Sequence, residues 1–547
     1  MSCTKALRDQ CDQLFGKRGS LLSLWQDVAE NFYPERADFT TCRNVGDEMA
    51  RNLMTSYPVI ARRQLGDSFG AMLRPSAKEW FHIRTSRPDK EDTTSKQWLE
   101  WASKFAKNVM YDKRGMFNRA TKEADHDFAA FGQACISVEL NPDRDGVLYR
   151  AWHLRDVAWM EDATGRITTI YRKWKPTAAD LCKLFKNVHP KVRQKLEKTP
   201  FDEVNVIHCI MPSENYEGME GGKKHSQPFV SCYIDVDHDH EMECVGSWTP
   251  HYVIPRWSTV SGSQYAHSPA VVAGLPDARL IQQVTRVLLE AGEKATNPPM
   301  VAVQEAIRGD VSIYAGGITW VDAEYDERLG EVLRPMTHDK SGLQFGMEWA
   351  QDLRTQLADA FYLSKLNLPP VGGPDMTAYE VGQRVQEFIR NALPLFEPME
   401  QDYNGQICDQ TFELMMHNVP EIRQSVPKNL AGAEIDFQFE SPLRDAVEKI
   451  KVGQYMEAQQ VLAAAIQLDP SVALIVDNQK ATRSVLEAVV PAAWLRTDAD
   501  VQKMAAEQAA QAQSQQLLAM MQQGADVAAT LKTAAPTVGQ GGAGGVL

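Results

Sequence analysis

The sequence predicts a mostly helical α+β, multi-domain protein, and three observations carry that prediction. A chain of 547 residues is too long for one compact domain at roughly 100 to 200 residues each, so three or four modules are expected. The spacing of apolar residues changes along it, helix-like to about residue 135, strand-like through the middle, and helix-like again from residue 276. Two apolar-striped segments of similar length then bracket a short β-favouring insert, giving the order helix, small α/β tip, helix.

The first part reads as helical. From Ser20 to Phe32 the residues Leu21, Leu22, Leu24, Trp25 and Val28 form a packing stripe, and from Ser95 to Tyr111 so do Trp98, Trp101, Phe105 and Val109. From Ala134 the period shortens to two, beginning with Cys135-Ile136-Ser137-Val138-Glu139-Leu140. Further strands are expected over Ile167 to Trp174, Val204 to Met211 and Phe229 to Val236. From Pro276 to Asn297, Leu280, Ile281, Val284, Val287, Leu288 and Ala291 share one helical face, and Pro298-Pro299 ends it. About 22 residues at 1.5 Å each make a rod of roughly 33 Å.

Strand-forming runs follow at Val301 to Val303, Val311 to Tyr314 and Ile318 to Val321, the last two separated by Gly316-Gly317. A second helix is expected from Ser341 to about Ser364, with Trp349, Leu353, Leu357 and Phe361 at steps of four. Leu366 to Asp375 is rich in proline and glycine and reads as a loop. Thr377-Ala378-Tyr379-Glu380 has capping-box spacing and opens another helix, in which Pro394 and Pro398 predict a kink near Asn391. After a strand at Glu434 to Phe439, Ser441-Pro442 opens an Ala/Gln/Leu-rich helical module reaching about Lys532. A glycine-rich tail closes the chain.

Composition narrows the function classes. Hydrophobic residues are 44% and charged residues 24%, as in ordinary folding chains. A net charge of -14 argues against a protein that grips nucleic acid over a broad basic face, because phosphate binding needs many Lys/Arg contacts. No apolar run approaches the ~20 residues that cross a bilayer, and the N-terminus lacks a signal-peptide core, so no membrane insertion and a cytosol-like site of synthesis are expected. The nine cysteines include no C-x-x-C pair, and reduced, partly buried thiols are the default expectation.

Catalytic signatures are sparse. The P-loop pattern and the H-E-x-x-H and G-x-S-x-G motifs do not occur, and no catalytic residue or cofactor is expected. Asp235-Val236-Asp237-His238-Asp239-His240-Glu241 supplies good divalent-cation ligands. In a strand, Asp235, Asp237 and Asp239 would share one face, the basis of an alternative reading as a metal-dependent nuclease; a polar hairpin tip explains the same composition. Trp152, Trp159 and Trp174 are expected to be core residues in preference to base-stacking platforms.

Several short stretches, colinear over most of the chain, carry a resemblance. They are Trp25 through Tyr33-Pro34; Met72-Leu73-Arg74-Pro75 with Trp80-Phe81; Phe128-Ala129-Ala130-Phe131-Gly132; and Pro255-Arg256-Trp257 with Tyr265-Ala266-His267-Ser268-Pro269. Met376-Thr377-Ala378-Tyr379-Glu380-Val381 and Phe439-Glu440-Ser441-Pro442-Leu443 follow. Together with the order of parts, they resemble the head-to-tail connector, or portal, family of short-tailed bacteriophages. Ala266-His267 departs from the Gly-Arg usual there, and no role is carried to those two positions.

The resemblance implies a phage portal fold with a wing over 1–275, a stem helix over 276–297, a clip over 298–342 and a second stem helix over 343–364. A channel loop over 365–376, a return through the wing over 377–437, a helical crown over 438–535 and a flexible tail over 536–547 complete it. It further implies a homo-oligomeric ring, usually a dodecamer, at one capsid vertex of a virion assembled in the host cytoplasm. Double-stranded DNA would pass through its channel. The terminase large subunit, major capsid and scaffolding proteins and tail adaptor proteins would be its partners. A tail or scaffolding protein without a channel is the other alternative.

Within that frame the loop residues Lys365, Asn367, Pro369, Pro370, Gly372 and Gly373 are the candidate DNA-channel site, where a ring of lysines would make weak, replicated phosphate contacts. Lys365 equally fits as the cation that ends the preceding helix. Lys340 and Arg354 are candidate channel or intersubunit charges, with ordinary surface pairing the competing reading.

Overall fold

The computed structural model describes residues 3–44, 46–76, 78–86, 93–302, 307, 311, 320–321, 331, 333–335, 341–366, 399–430 and 432–439, with a few isolated positions beyond. The chain divides into two units, residues 1–91 with 98–447 and residues 92–97 with 448–547, and nearly all the described residues lie in the first.

Helices open the chain. They are α1 (Cys3–Gly16), α2 (Gly19–Phe32) and α3 (Tyr57–Leu73), then α4 (Thr93–Met110) and α5 (Phe117–Phe131) after a strand β1 (Phe81–Thr85). In α2 the buried residues Trp25, Val28, Ala29 and Phe32 recur at three- and four-residue steps, the stripe that the sequence predicted. Helix α5 ends at Gly132, whose φ of +75° makes it a left-handed cap. An added Cβ there would meet the His267 and Ser268 backbone at 2.6 Å, so the position requires glycine for two separate reasons.

The middle of the chain supplies two antiparallel sheets. Strands β2 (Ile136–Leu140) and β3 (Val147–Ala151) precede β4 (Val157–Glu161) and β5 (Ile167–Trp174). After α6 (Ala178–Leu184) and α7 (Pro190–Lys198) come β6 (Val206–Pro212), the short α8 (Ser213–Glu217), β7 (Phe229–Asp235), β8 (His240–Ser247) and β9 (Tyr252–Val253). One sheet has the order β4-β5-β6-β7-β8 and the other β3-β2-β9. Cys3, Leu7 and Cys11 of α1 pack on the five-stranded sheet against Tyr171, Ile207, Cys209, Met211, Val230 and Ile234. Trp159 is buried in the main core, while Trp152 is held between the guanidinium groups of Arg150 at 4.1 Å and Arg172 at 3.7 Å.

Helix α9 (Leu275–Thr296) follows, with the strands β10 (Met300–Ala302) and β11 (Leu333–Pro335) paired beyond it. Then come α10 (Ser341–Ala360), α11 (Leu363–Leu366), α12 (Gln406–Asn418), α13 (Pro420–Ser425) and β12 (Ile435–Phe439). The main core gathers Phe32, Leu65, Phe69, Phe128, Phe131, Ile281, Leu353, Leu357, Phe361 and Tyr403 from helices far apart in sequence.

Three expectations need correction. The first part is not wholly helical, because Phe81–Thr85 is a strand; it pairs antiparallel with β12, Phe81 opposite Phe439 and Thr85 opposite Ile435. The thiols are not all reduced: Cys232 and Cys244 form a disulfide, because the β7–β8 register sets them directly opposite with Cα atoms 4.2 Å apart. The second long helix stops at Ala360 and not near Ser364; Tyr362 takes a φ of +58° before α11 restarts.

Candidate functional site

The two long helices and their base are the part of the molecule that the sequence singled out. Gly274 lies against Phe361 and Gly346 against Leu288, so residue numbers rise on one helix as they fall on the other and the pair is antiparallel. Pro276 sits in the first turn of α9, where its missing N–H costs no bond, and Asp277 and Lys294 complement the helix dipole at its two ends.

Burial fades along the pair. At the base Leu275, Ala278, Ile281 and Val284 pack with Ala350, Leu353, Leu357 and Phe361. Away from it Val287, Leu289, Phe345 and Met347 are each more than half exposed, and Trp349 is 41% exposed. Apolar side chains displayed in this number on one element are a candidate contact surface.

The base is held by close contacts. A five-residue π-helical turn, Ala270–Gly274, leads into α9. A Cβ at Gly274 would stand 3.1 Å from the Phe32 ring and 3.3 Å from the Phe361 ring, and those two rings lie 5.2 Å apart. Gln282 adds a polar clamp, its Oε1 accepting from the backbone N–H of Met54 and Thr55 at 2.6 and 2.9 Å while its Nε2 donates to the Thr55 carbonyl. Arg279 pairs with Asp27 at 2.9 Å. Sequence reasoning picked out the apolar stripe but neither the glutamine clamp nor the glycine contact, since neither has a local signal.

Of the candidate channel residues, Lys365 falls in the four-residue helix α11, just after the base of the pair. Asn367, Pro369, Pro370, Gly372, Gly373 and Lys340 lie outside the described residues, as do the helix expected from Thr377, its kink near Asn391 and most of the C-terminal module. Arg354 is exposed on α10, its guanidinium 6.0 Å from the Tyr57 ring; burial raises the Tyr57 hydroxyl above its ordinary range and the nearby cation partly offsets that.

The acidic cluster is a hairpin tip and not a strand. Residues 236–239 turn between β7 and β8, and Asp239 has a φ of +48°, so alternation along a face does not apply. The three aspartates each have a protein partner. Buried Asp235 holds His238 Nδ1 at 2.7 Å, Asp237 accepts from Asn205 at 3.0 Å and Asp239 pairs with Arg8. The His189 ring stacks on His238 at 4.4 Å and lies 5.6 Å from His240. Among the described residues no three such side chains converge on a point where a metal ion could sit.

Comparison with known proteins adds a family. A model described as bacteriophage head to tail connecting protein matches residues 4–493, most of the chain. The probable portal protein of Bordetella phage BPP-1 is 26% identical over 555 aligned positions, covering 96% of this chain and 95% of that protein. The portal protein of Salmonella phage epsilon15 is 24% identical over 541 positions, covering 96% and 94%. Among solved structures, a chain of the virion of a native gene transfer agent particle is 11% identical over 80% of this chain and 94% of its own, at a TM-score of 0.33.

Proposed function

The chain belongs to the bacteriophage head to tail connecting protein family, and on that premise we propose that it is a subunit of a phage portal, the ring through which DNA enters and leaves the capsid. Both curated relatives bear the name of portal protein and match nearly end to end, so the reading covers the whole chain and not one module. Its role is mechanical; the nuclease alternative has no gathered ligand set behind it among the described residues, and no observation favours a protein without a channel.

The observation that carries the assembly is the exposed apolar half of the α9–α10 pair. Val287, Phe345 and Met347, each over 60% exposed in the single subunit, are the side chains that neighbouring copies cover when the pairs stand side by side in a ring. A rod of about 33 Å has little core of its own and gains it by lateral packing.

The finer parts belong to the same proposal. Twelve subunits make the ring; residues 276–297 and 343–364 are its stem, 298–342 the clip that faces the terminase during packaging and the tail adaptors afterwards, and 438–535 the crown inside the capsid. Wing segments over 1–275 and 377–437 meet the major capsid and scaffolding proteins. The loop 365–376 lines the channel, with Lys365 giving each subunit one weak phosphate contact.

Electron microscopy and mass photometry of the purified protein test this together. Rings with an axial hole and a mass near twelve subunits are expected, whereas a closed particle without a hole would overturn the conduit. In particles, Lys365→Gln should leave ring assembly intact and lower the fraction of packaged DNA retained; unchanged retention would remove that lysine from the channel.

A further inference from the structure

Between β5 and β6 the chain leaves the sheet to form a separate two-helix hairpin, α6 and α7. It stands on a core of its own, Ala178, Leu181, Phe185, Val188 and Val192 packing on Val204, Val206 and Met242. Both helices are firmly capped. The Thr177 hydroxyl accepts from the Asp180 N–H, His189 Nδ1 accepts from the Lys191 N–H, and Pro190 opens α7. The hairpin is therefore a defined platform and not a loose loop.

What it displays is positive charge. Residues 175–198 contain six lysines and one arginine against Asp180 and Glu197 alone, in a chain whose net charge is -14. Lys175, Lys183, Lys186, Lys191 and Lys198 are exposed and Lys195 half-buried. Lys173, just before them, pairs with Asp12, but none of these six has a carboxylate within ion-pair distance among the described residues. The Arg193 guanidinium donates to the Lys186 carbonyl, tying the second helix to the end of the first and keeping its charge beside the lysines.

Like charges on one small platform repel one another, and the four carboxylates of residues 175–205, Asp180, Glu197, Asp202 and Glu203, fall three short of its seven cations and pair with none of the six lysines. A polyanion offsets them. From Lys191 to Lys198 α7 advances about 10 Å, a length over which duplex DNA carries about six phosphate charges. Lysines serve as mobile point charges that follow a backbone without reading sequence. Leu184, Leu196 and Phe201 are also exposed, which raises the rival of an anionic membrane surface. That rival needs a continuous apolar face, and α6 and α7 spend theirs on the hairpin's own core.

We propose that the α6–α7 hairpin is an electrostatic, sequence-independent docking surface for duplex DNA, separate from any axial channel. It goes beyond the portal reading, since it requires neither a ring nor a hole. The test uses the full-length protein and a closed, relaxed DNA minicircle, which has no end to thread through a ring. Binding is followed by mobility shift over a series of salt concentrations.

The wild-type protein should bind the minicircle with an affinity that falls steeply with salt. The variant carrying Lys183→Gln, Lys186→Gln, Lys191→Gln and Lys198→Gln should bind at least tenfold more weakly, with a log–log salt slope shallower by about 3 to 4, near 0.9 per lost phosphate contact. Its melting temperature should match the wild type, because the four side chains are exposed. A wild-type protein that ignores the minicircle, a variant that binds it equally well, or a preference for phosphatidylserine vesicles over the minicircle would each overturn the proposal. Microscopy of the same sample separates the two ideas: rings that ignore minicircles keep the portal and lose the docking surface, and minicircle binding without rings does the reverse.

Discussion

His208 lies wholly inside the sheet layer with a protonation state that its neighbours dictate. Arg172 Nε–H donates to the Tyr252 hydroxyl, which therefore turns its own proton to His208 Nδ1 at 2.6 Å, while His208 Nε2–H donates to Ser231 Oγ at 2.9 Å. Burial, with Arg172 and His251 adding repulsion, holds its pKa well below the usual histidine range. Burial likewise lowers His126, to about 4, and His251. The unfolded chain takes up protons at these sites below about pH 6.5 while the folded chain does not, so stability is full above that pH and declines as pH falls through it. Urea denaturation of His208→Gln between pH 5 and 6.5 should show a slope against pH shallower by about 1 kcal/mol per unit; an unchanged slope would mean that His208 is protonated in the fold. At Gly132, where positive φ and the 2.6 Å approach of the His267–Ser268 backbone coincide, Gly132→Ala should cost about 2 to 3 kcal/mol in the same assay.

The long helices divide into a buried base and an exposed end, and the two halves should respond differently to mutation. Leu353 is 2% exposed, so Leu353→Ala removes packed methyl groups and should destabilise the subunit by about 2 to 5 kcal/mol, read from chemical denaturation. Phe345 and Met347 are each 68% exposed, so Phe345→Ser with Met347→Ser should leave subunit stability nearly unchanged and abolish ring formation on mass photometry. The stripe itself was legible in the sequence because helical packing repeats every three to four residues, and Leu353, Leu357 and Phe361 obey that repeat. Where the helix stopped was not legible. Tyr362 carries no breaker signal, and the left-handed turn after Ala360 has no counterpart in composition. Strand β1 was hidden for a similar reason, because five residues are too few for an alternation to stand out and their partner lies some 350 positions away.

Over the whole molecule, the proposed ring would bury what one subunit leaves exposed, so that the subunit's folding stability and its assembly would be linked by mass action. Rings are expected to melt at a temperature that rises with protein concentration, whereas the Phe345/Met347 double variant should melt at a temperature independent of it. Calorimetry at two concentrations checks this. Fold class, the order of helix and sheet segments and the resemblance to the connector family came from the sequence alone, because each rests on local periodicity or on motifs in a linear order. The Cys232–Cys244 pair, the turn that separates Asp235 from Asp239, the β1–β12 pairing and the Gly274–Phe361 contact came only from the tertiary structure. Each depends on which distant backbone lies alongside and in what register, and a one-residue shift in register leaves composition unchanged while turning every side chain to the opposite face.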